Sequence, residues 1–302
     1  MSKNYPRNMV GYGSKKFKVV WPNNAKLALQ IVLNYEEGAE NCVLHGDKHS
    51  ETFLSEIIGA QPIKGRHINM ESFYEYGSRR GFWRLHKLFT EKKIPITIFG
   101  VAMALERNPE ICKAIKKGDY EVASHGWRWI DYQNIKKSVE KKHMELSIKA
   151  IKKIFGQRPL GWYTGRCSPN TRDLVMKEGG FLYDSDSYSD DLPYWEYRNN
   201  KKQLIIPYTL DNNDMRFATN QGFNSGDQFY TYLKDSFDVL YEEGKTSPKM
   251  MSIGLHCRLI GRPGRIQSLK KFLNYVLKFK KDIWICKRID IAKYWTKKYS
   301  NI

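Results

Sequence analysis

Side chains capable of chemistry recur directly after apolar runs in this sequence: Glu36-Glu37, Ser124-His125, Arg166, Asp184 with Asp186, and His256. A glutamate so placed is a candidate general base, with an ordinary pKa of about 4.3 that burial raises toward neutrality. Adjacent residues cannot both point into one site in the same way, so one of Glu36 and Glu37 is functional and the other structural. His125 is a metal ligand, an acid/base, or a core imidazole with a satisfied ring. Arg166 carries a permanent guanidinium charge between Gly165 and Pro169, which fix the backbone around it, and suits a carboxylate or a substrate carbonyl. The acidic, aromatic stretch from Asp184 to Trp195 lacks the glycine and terminal glutamate of an EF-hand loop. It is read as the source of an aspartate that orients a catalytic histidine. His256 ends another apolar run; Cys257 beside it has no nucleophile signature around it. Tyr208 to Asp214, rich in amides and carboxylates, reads as a polar lining for a small hydrogen-bonding substrate.

These residues need a frame that gathers strand ends. Leu27 to Tyr35 is apolar enough to be a strand buried on both faces. Further strands are expected at Ile96–Val101, Glu121–Ala123, Gly161–Tyr163, Phe181–Tyr183, Leu204–Tyr208, Met250–Leu255 and Ile283–Cys286. Helices alternate with them, among them Asn134–Phe155, Gly226–Glu243 and Ile266–Phe279, and a helix from Glu71 interrupted at Gly77 and Gly81. About seven alternations predict an α/β fold with a parallel sheet, and in a parallel barrel the strand ends share the face that carries the active site. No phosphate-binding glycine motif supports the doubly wound alternative. The chain reads as one catalytic domain, residues 1–302: an N-terminal arm, first strand and long excursion over 1–70, and a repeating core over 71–290.

The composition narrows the class. The charge of +19 comes from 51 basic against 32 acidic residues, but the lysines are scattered over polar helix positions, which reads as a solvated surface with no nucleic-acid partner. Five cysteines with no paired spacing exclude a disulfide framework or zinc ribbon. The polar first ten residues carry no secretion signal, and no run approaches the ~18 apolar residues of a membrane span, so a cytoplasmic protein without a membrane partner is expected.

Taken in order, the motifs resemble the polysaccharide deacetylase (NodB-homology) family, whose fold is a distorted (β/α)7 barrel. The positions carrying the likeness are Glu36-Glu37, His125 to Trp129, Arg166 with Pro169, the Asp184–Trp195 segment and Leu255-His256. Two departures stand out: Glu-Glu replaces the family's Asp-Asp pair, and Trp129 stands where a second metal histidine is expected. A catalytic zinc needs three protein ligands and an open position, which this set does not supply. Longer phrases, such as Asn34-Tyr35-Glu36-Glu37-Gly38 and His256-Cys257-Arg258-Leu259-Ile260-Gly261-Arg262-Pro263, resemble the PuuE-type allantoinases within that family. That likeness implies hydrolysis of the hydantoin ring of (S)-allantoin to allantoate in purine catabolism, without metal or other cofactor, by a cytoplasmic homotetramer. Its site would have Glu36 activating water, Arg166 orienting Glu36, and His256 protonating the leaving nitrogen with an aspartate of 184–191 behind it. His125, Trp129, Glu37, Asp184, Asp186 and Asp214 would line the substrate. The competing readings are a metal-dependent N-deacetylase of peptidoglycan or another acetylated sugar, a hydrolase of another cyclic ureide, and a basic binding protein on a retired barrel.

Overall fold

A computed structural model describes residues 5–14, 17–57 and 59–300; residues 1–4 and 15–16 of the expected arm lie outside it. The first strand, β1 (Leu27–Tyr35), is buried at all nine positions. Of its two polar residues, Asn34 Nδ2 donates to Tyr208 Oη at 2.9 Å and to the Leu255 carbonyl at 3.1 Å, while Gln30 offers its Oε1 to a buried arginine described below and leaves its Nε2 without a hydrogen-bond partner.

After β1 the chain crosses to 67 with little regular structure, as the aperiodic sequence implies. The core then alternates: α1 (Ile68–Tyr76), α2 (Phe82–Lys92), β2 (Thr97–Gly100), α3 (Ala102–Arg107), α4 (Pro109–Lys117), β3 (Glu121–Ser124), α5 (Lys137–Phe155), β4 (Gly161–Trp162), α6 (Thr171–Glu178) and β5 (Tyr183–Asp184). There follow β6 (Tyr194–Arg198), β7 (Lys201–Ile205), α7 (Gly226–Glu243), β8 (Lys249–His256), α8 (Pro263–Val276), β9 (Ile283–Cys286) and α9 (Arg288–Lys298). Asn108 caps α4 through Ile111 N with Pro109 in the first turn, and Gly156, at φ 81°, ends α5.

The strands form one sheet in the order β6-β7-β5-β4-β3-β2-β1-β8, with β9 added to β1. Every pairing is parallel except β6 with β7. The sheet curls into a half-barrel, and an isolated bridge, Asn213 to Gly254, ties β8 to the segment after β7. This is the distorted parallel barrel expected from the sequence. Among the described residues no helix is long and apolar enough to cross a membrane.

Two local expectations need correction. The hairpin strand β6 was not foreseen, because Tyr-Trp-Glu-Tyr-Arg shows no alternation and its edge position leaves it half-exposed. Its turn is made by Asn199 and Asn200, both left-handed at φ 49° and 58°, as a two-residue hairpin requires. Gly77 and Gly81 do not interrupt the helix but bound a π-turn joining α1 to α2, an insertion that recurs at functional sites. It carries the helix past the loop after β8: a Cβ on Gly81 would lie 1.9 Å from the Cys257 carbonyl oxygen. Because that obstacle is backbone, Gly81→Ala is expected to cost about 3 kcal/mol, the upper end for overpacking, read as a lowered denaturation midpoint at unchanged slope.

Below the catalytic end, Arg288 is fully buried. It donates to Gln30 Oε1 (2.8 Å), Ser252 Oγ (2.9 Å), Ser185 Oγ (2.9 Å) and the carbonyls of Pro207 (3.0 Å) and Ile206. All five acceptors are neutral, and the ring centres of Phe99, Tyr183 and Tyr208 lie 5.7–5.9 Å from the cation.

Candidate active site

Register sets the geometry. Tyr35 pairs with Gly100 and Gly100 with Ser124, which brings Glu36 and His125, each one residue further on, to the same level. On the other side of β1, Asn34 pairs with His256. The three side chains meet: Glu36 Oε1 lies 3.3 Å from His125 Nε2 and 3.5 Å from His256 Nε2. The other carboxylate oxygen accepts from Arg258 Nη1 at 2.7 Å.

Asp214 fixes His256. Its Oδ1 accepts from His256 Nδ1 at 2.6 Å, and its Oδ2 accepts from the backbone N–H groups of His256 (2.8 Å) and Ile260 (3.0 Å). Burial alone would lower the imidazole pKa, but Glu36 and Asp214 outweigh it and push His256 up to about 9. His256 is therefore an imidazolium near neutrality. Burial would likewise raise the Glu36 carboxyl, but Arg258, His256 and the hydrogen bonds from both imidazoles hold it well below the usual carboxylate range. Glu36 is therefore a carboxylate at neutral pH.

Arg258 is the cation of the site. Its guanidinium lies 4.3 Å from the Tyr74 ring centre and 4.9 Å from that of Trp129. Nε donates to the Leu54 carbonyl at 3.3 Å, and buried Nη2 has no hydrogen-bond partner. The cluster thus combines an ionised carboxylate, an imidazolium and an uncommitted charged donor. It does not fit a three-ligand metal centre. Trp129 replaces an imidazole with an indole, Arg258 already neutralises Glu36, and no group of three or more His, Cys, Asp or Glu side chains among the described residues is arranged to hold a metal ion.

Several sequence-based roles move. The aspartate behind His256 is Asp214, not a member of 184–191, and it lies buried beneath the ring, away from any substrate lining. Arg166 does not reach Glu36: it donates to the Trp129 carbonyl at 2.7 Å and lies over the Trp129 ring at 4.2 Å. Arg258 takes the position beside Glu36 instead. Asp184 pairs with Arg172, and burial pushes it up to about 7 against that arginine. Asp186 accepts from the backbone N–H groups of Thr164 (2.9 Å) and Gly165 (2.8 Å), shaping the turn that presents Arg166. Glu37 turns back to accept from the Glu36 N–H at 3.0 Å, and burial pushes it up to about 7 despite Arg258. Trp129 and His125 stay at the site, one as a wall and one against Glu36. Cys257 is buried, and its thiol is pushed well above the usual range by that burial, which leaves no thiolate for nucleophilic attack. The group missed by sequence reasoning is Arg258. Its signal was a permanent charge two residues beyond a strand-ending histidine, in the otherwise apolar run Leu-His-Cys-Arg-Leu-Ile.

Known proteins share this plan. The polysaccharide deacetylase profile matches residues 70–179. A Schizosaccharomyces pombe protein named as a polysaccharide deacetylase is 44% identical, covering 92% of this chain and 93% of its own. The solved structure of a Pseudomonas aeruginosa PAO1 protein, also named as a polysaccharide deacetylase, is 58% identical with a TM-score of 0.95, covering 98% of this chain and 99% of that one. The structure of PuuE allantoinase is 56% identical with a TM-score of 0.96, covering 99% of this chain and all of that one (100%). Likeness at this level over nearly the whole length leaves no room for another lineage: the chain belongs to the polysaccharide deacetylase family and is a hydrolase of carbon–nitrogen bonds.

Proposed function

We propose that the enzyme opens the hydantoin ring of (S)-allantoin to allantoate without a metal. The observation that carries this reading is the 56% identity to PuuE allantoinase over 99% of the chain. The cluster supplies what the reaction needs. Glu36 takes a proton from water, whose oxygen bonds to the ring carbonyl carbon. Arg258 Nη2 donates to the oxyanion that develops, a contribution of about 2.7–4 kcal/mol for one well-placed donor. The carbon–nitrogen bond breaks as the nitrogen takes the proton of His256 Nε2. Once His256 has given up its proton, Glu36 passes the proton it took to that imidazole, 3.5 Å away, which resets both groups. Trp129 walls the site, and His125 holds Glu36 in place.

The test is purified enzyme with allantoin, with and without chelator, scored as allantoate formed. Allantoate at equal rates in both expects the proposal; chelator-sensitive activity on an N-acetylated sugar supports the second reading, an N-deacetylase, which the name of the fission-yeast relative favours. The same assay against pH has a definite sign. His256 must start protonated, so kcat/KM falls as pH rises through about 9. The reading also makes the enzyme a cytoplasmic homotetramer acting on a small cyclic ureide, with no nucleic-acid or membrane partner; sedimentation measures the assembly.

A further inference from the structure

The catalytic groups are shut away from solvent: Glu36 is 1% exposed, His125 3%, His256 4% and Arg258 0%. An enzyme that works along a polymer must leave a groove for the chain on either side of the bond it cuts. An enclosed site suits a substrate small enough to be surrounded on all sides.

The closing element comes from the excursion between β1 and α1. The Phe53 ring stacks on Trp129, with centres 5.9 Å apart and planes at 23°. Its carbonyl accepts from Tyr74 Oη at 3.2 Å. Leu54 is buried, and its carbonyl is the acceptor for Arg258 Nε. Leu54 also has φ 48°, the left-handed region that a branched side chain rarely adopts. Such a conformation persists only where its surroundings over-determine it; here they include the core that buries the side chain and the bond from Arg258 to the carbonyl. Behind it, the Glu51 carboxylate accepts from the N–H groups of Thr52 and Phe53 at 2.9 and 3.0 Å, and from Asn41 Nδ2 at 2.8 Å. The segment is thus built as a rigid tip with one strained residue clasped by the arginine that also offers Nη2 to the site.

Resting on the small-ring reading above, we propose that residues 51–57 are the specificity-determining roof of the active site, with the Leu54 carbonyl on Arg258 as its latch. The roof opens to admit a cyclic ureide, closes around it, and shuts out a polysaccharide chain. One guanidinium serves both ends: Nη2 meets the substrate and Nε holds the roof, so occupation of the site tightens the closure.

Two measurements test this. In the Glu36→Gln enzyme, which is expected to bind allantoin and turn it over about 10³-fold more slowly, backbone amide exchange across 51–57 is expected to slow at least about ten-fold with saturating allantoin. In an otherwise native enzyme, Phe53→Ala, which removes the stack on Trp129, is expected to raise KM for allantoin at least about ten-fold while kcat stays within about three-fold, a split that a loss of general stability does not produce. Hydrolysis of allantoin with no change in exchange and an unchanged KM overturns the roof and leaves the proposed reaction standing. Protection of 51–57 by hydantoin, with no hydrolysis of allantoin, keeps the roof and discards the substrate. Deacetylation of an N-acetylglucosamine trimer by the unaltered enzyme overturns the roof.

Discussion

Glu36→Gln is expected to lower kcat about 10³-fold while allantoin still binds, since positioned proton transfer contributes about 10²–10⁴-fold. The amide keeps the shape of the carboxylate and can still accept from Arg258 Nη1 and face both imidazoles, but it cannot take a proton from water. The substitution also removes one of the two carboxylates that push His256 up to about 9. The alkaline limb of whatever activity remains should therefore move to lower pH. Steady-state kinetics gives kcat, and calorimetric titration gives the dissociation constant. A Gln enzyme with near-native kcat would move the base away from Glu36 and sink the mechanism.

Arg258→Met is expected to be the most damaging single change for both stability and activity. The guanidinium is fully buried, and it neutralises a carboxylate that is fully buried too. Removing one partner of such a pair leaves an uncompensated charge and costs about 3–5 kcal/mol. The Glu36 carboxyl should then rise from its depressed value, because the opposing cation is gone while the burial remains. Arg258→Lys restores a charge near Glu36 but cannot place donors at Leu54 and at the substrate together. It should recover much of the stability and little of kcat. Denaturant unfolding and kcat on the three proteins decide the matter; a Met variant as stable and as active as the native enzyme would remove Arg258 from the site.

The strands that carry the catalytic groups were legible because burial on both faces writes continuous apolar runs, as in Leu27 to Tyr35 and Met250 to Leu255. The placement of Glu36, His125 and His256 at the ends of those runs could be read for the same reason. Their partners were harder to find, because a partner is fixed by three-dimensional approach and not by position in a run. Asp214 lies in a polar loop like many others, and only the bridge between Asn213 and Gly254 brings it under His256. Asp184 and Asp186 looked equally suited to that task, yet Arg172 and the Thr164-Gly165 turn claim them. Arg166 was favoured over Arg258 because it sits in a turn between glycine and proline. Arg258 is hidden in an apolar run, where the sequence gives no hint of the Tyr74 and Trp129 faces that receive it.

The buried arginine below the site has a consequence for how the chain assembles. Its acceptors come from Gln30, Ser185, Ile206, Pro207 and Ser252, while Arg288 itself follows the last strand. Leaving water is costly for this cation until these acceptors and the rings of Phe99, Tyr183 and Tyr208 surround it. The lower barrel therefore cannot be completed in stages from its N-terminal end. Its closure waits for the final strand and the start of α9, so folding is governed by contacts between the two ends of the chain, the arrangement expected to make it slow and all-or-none.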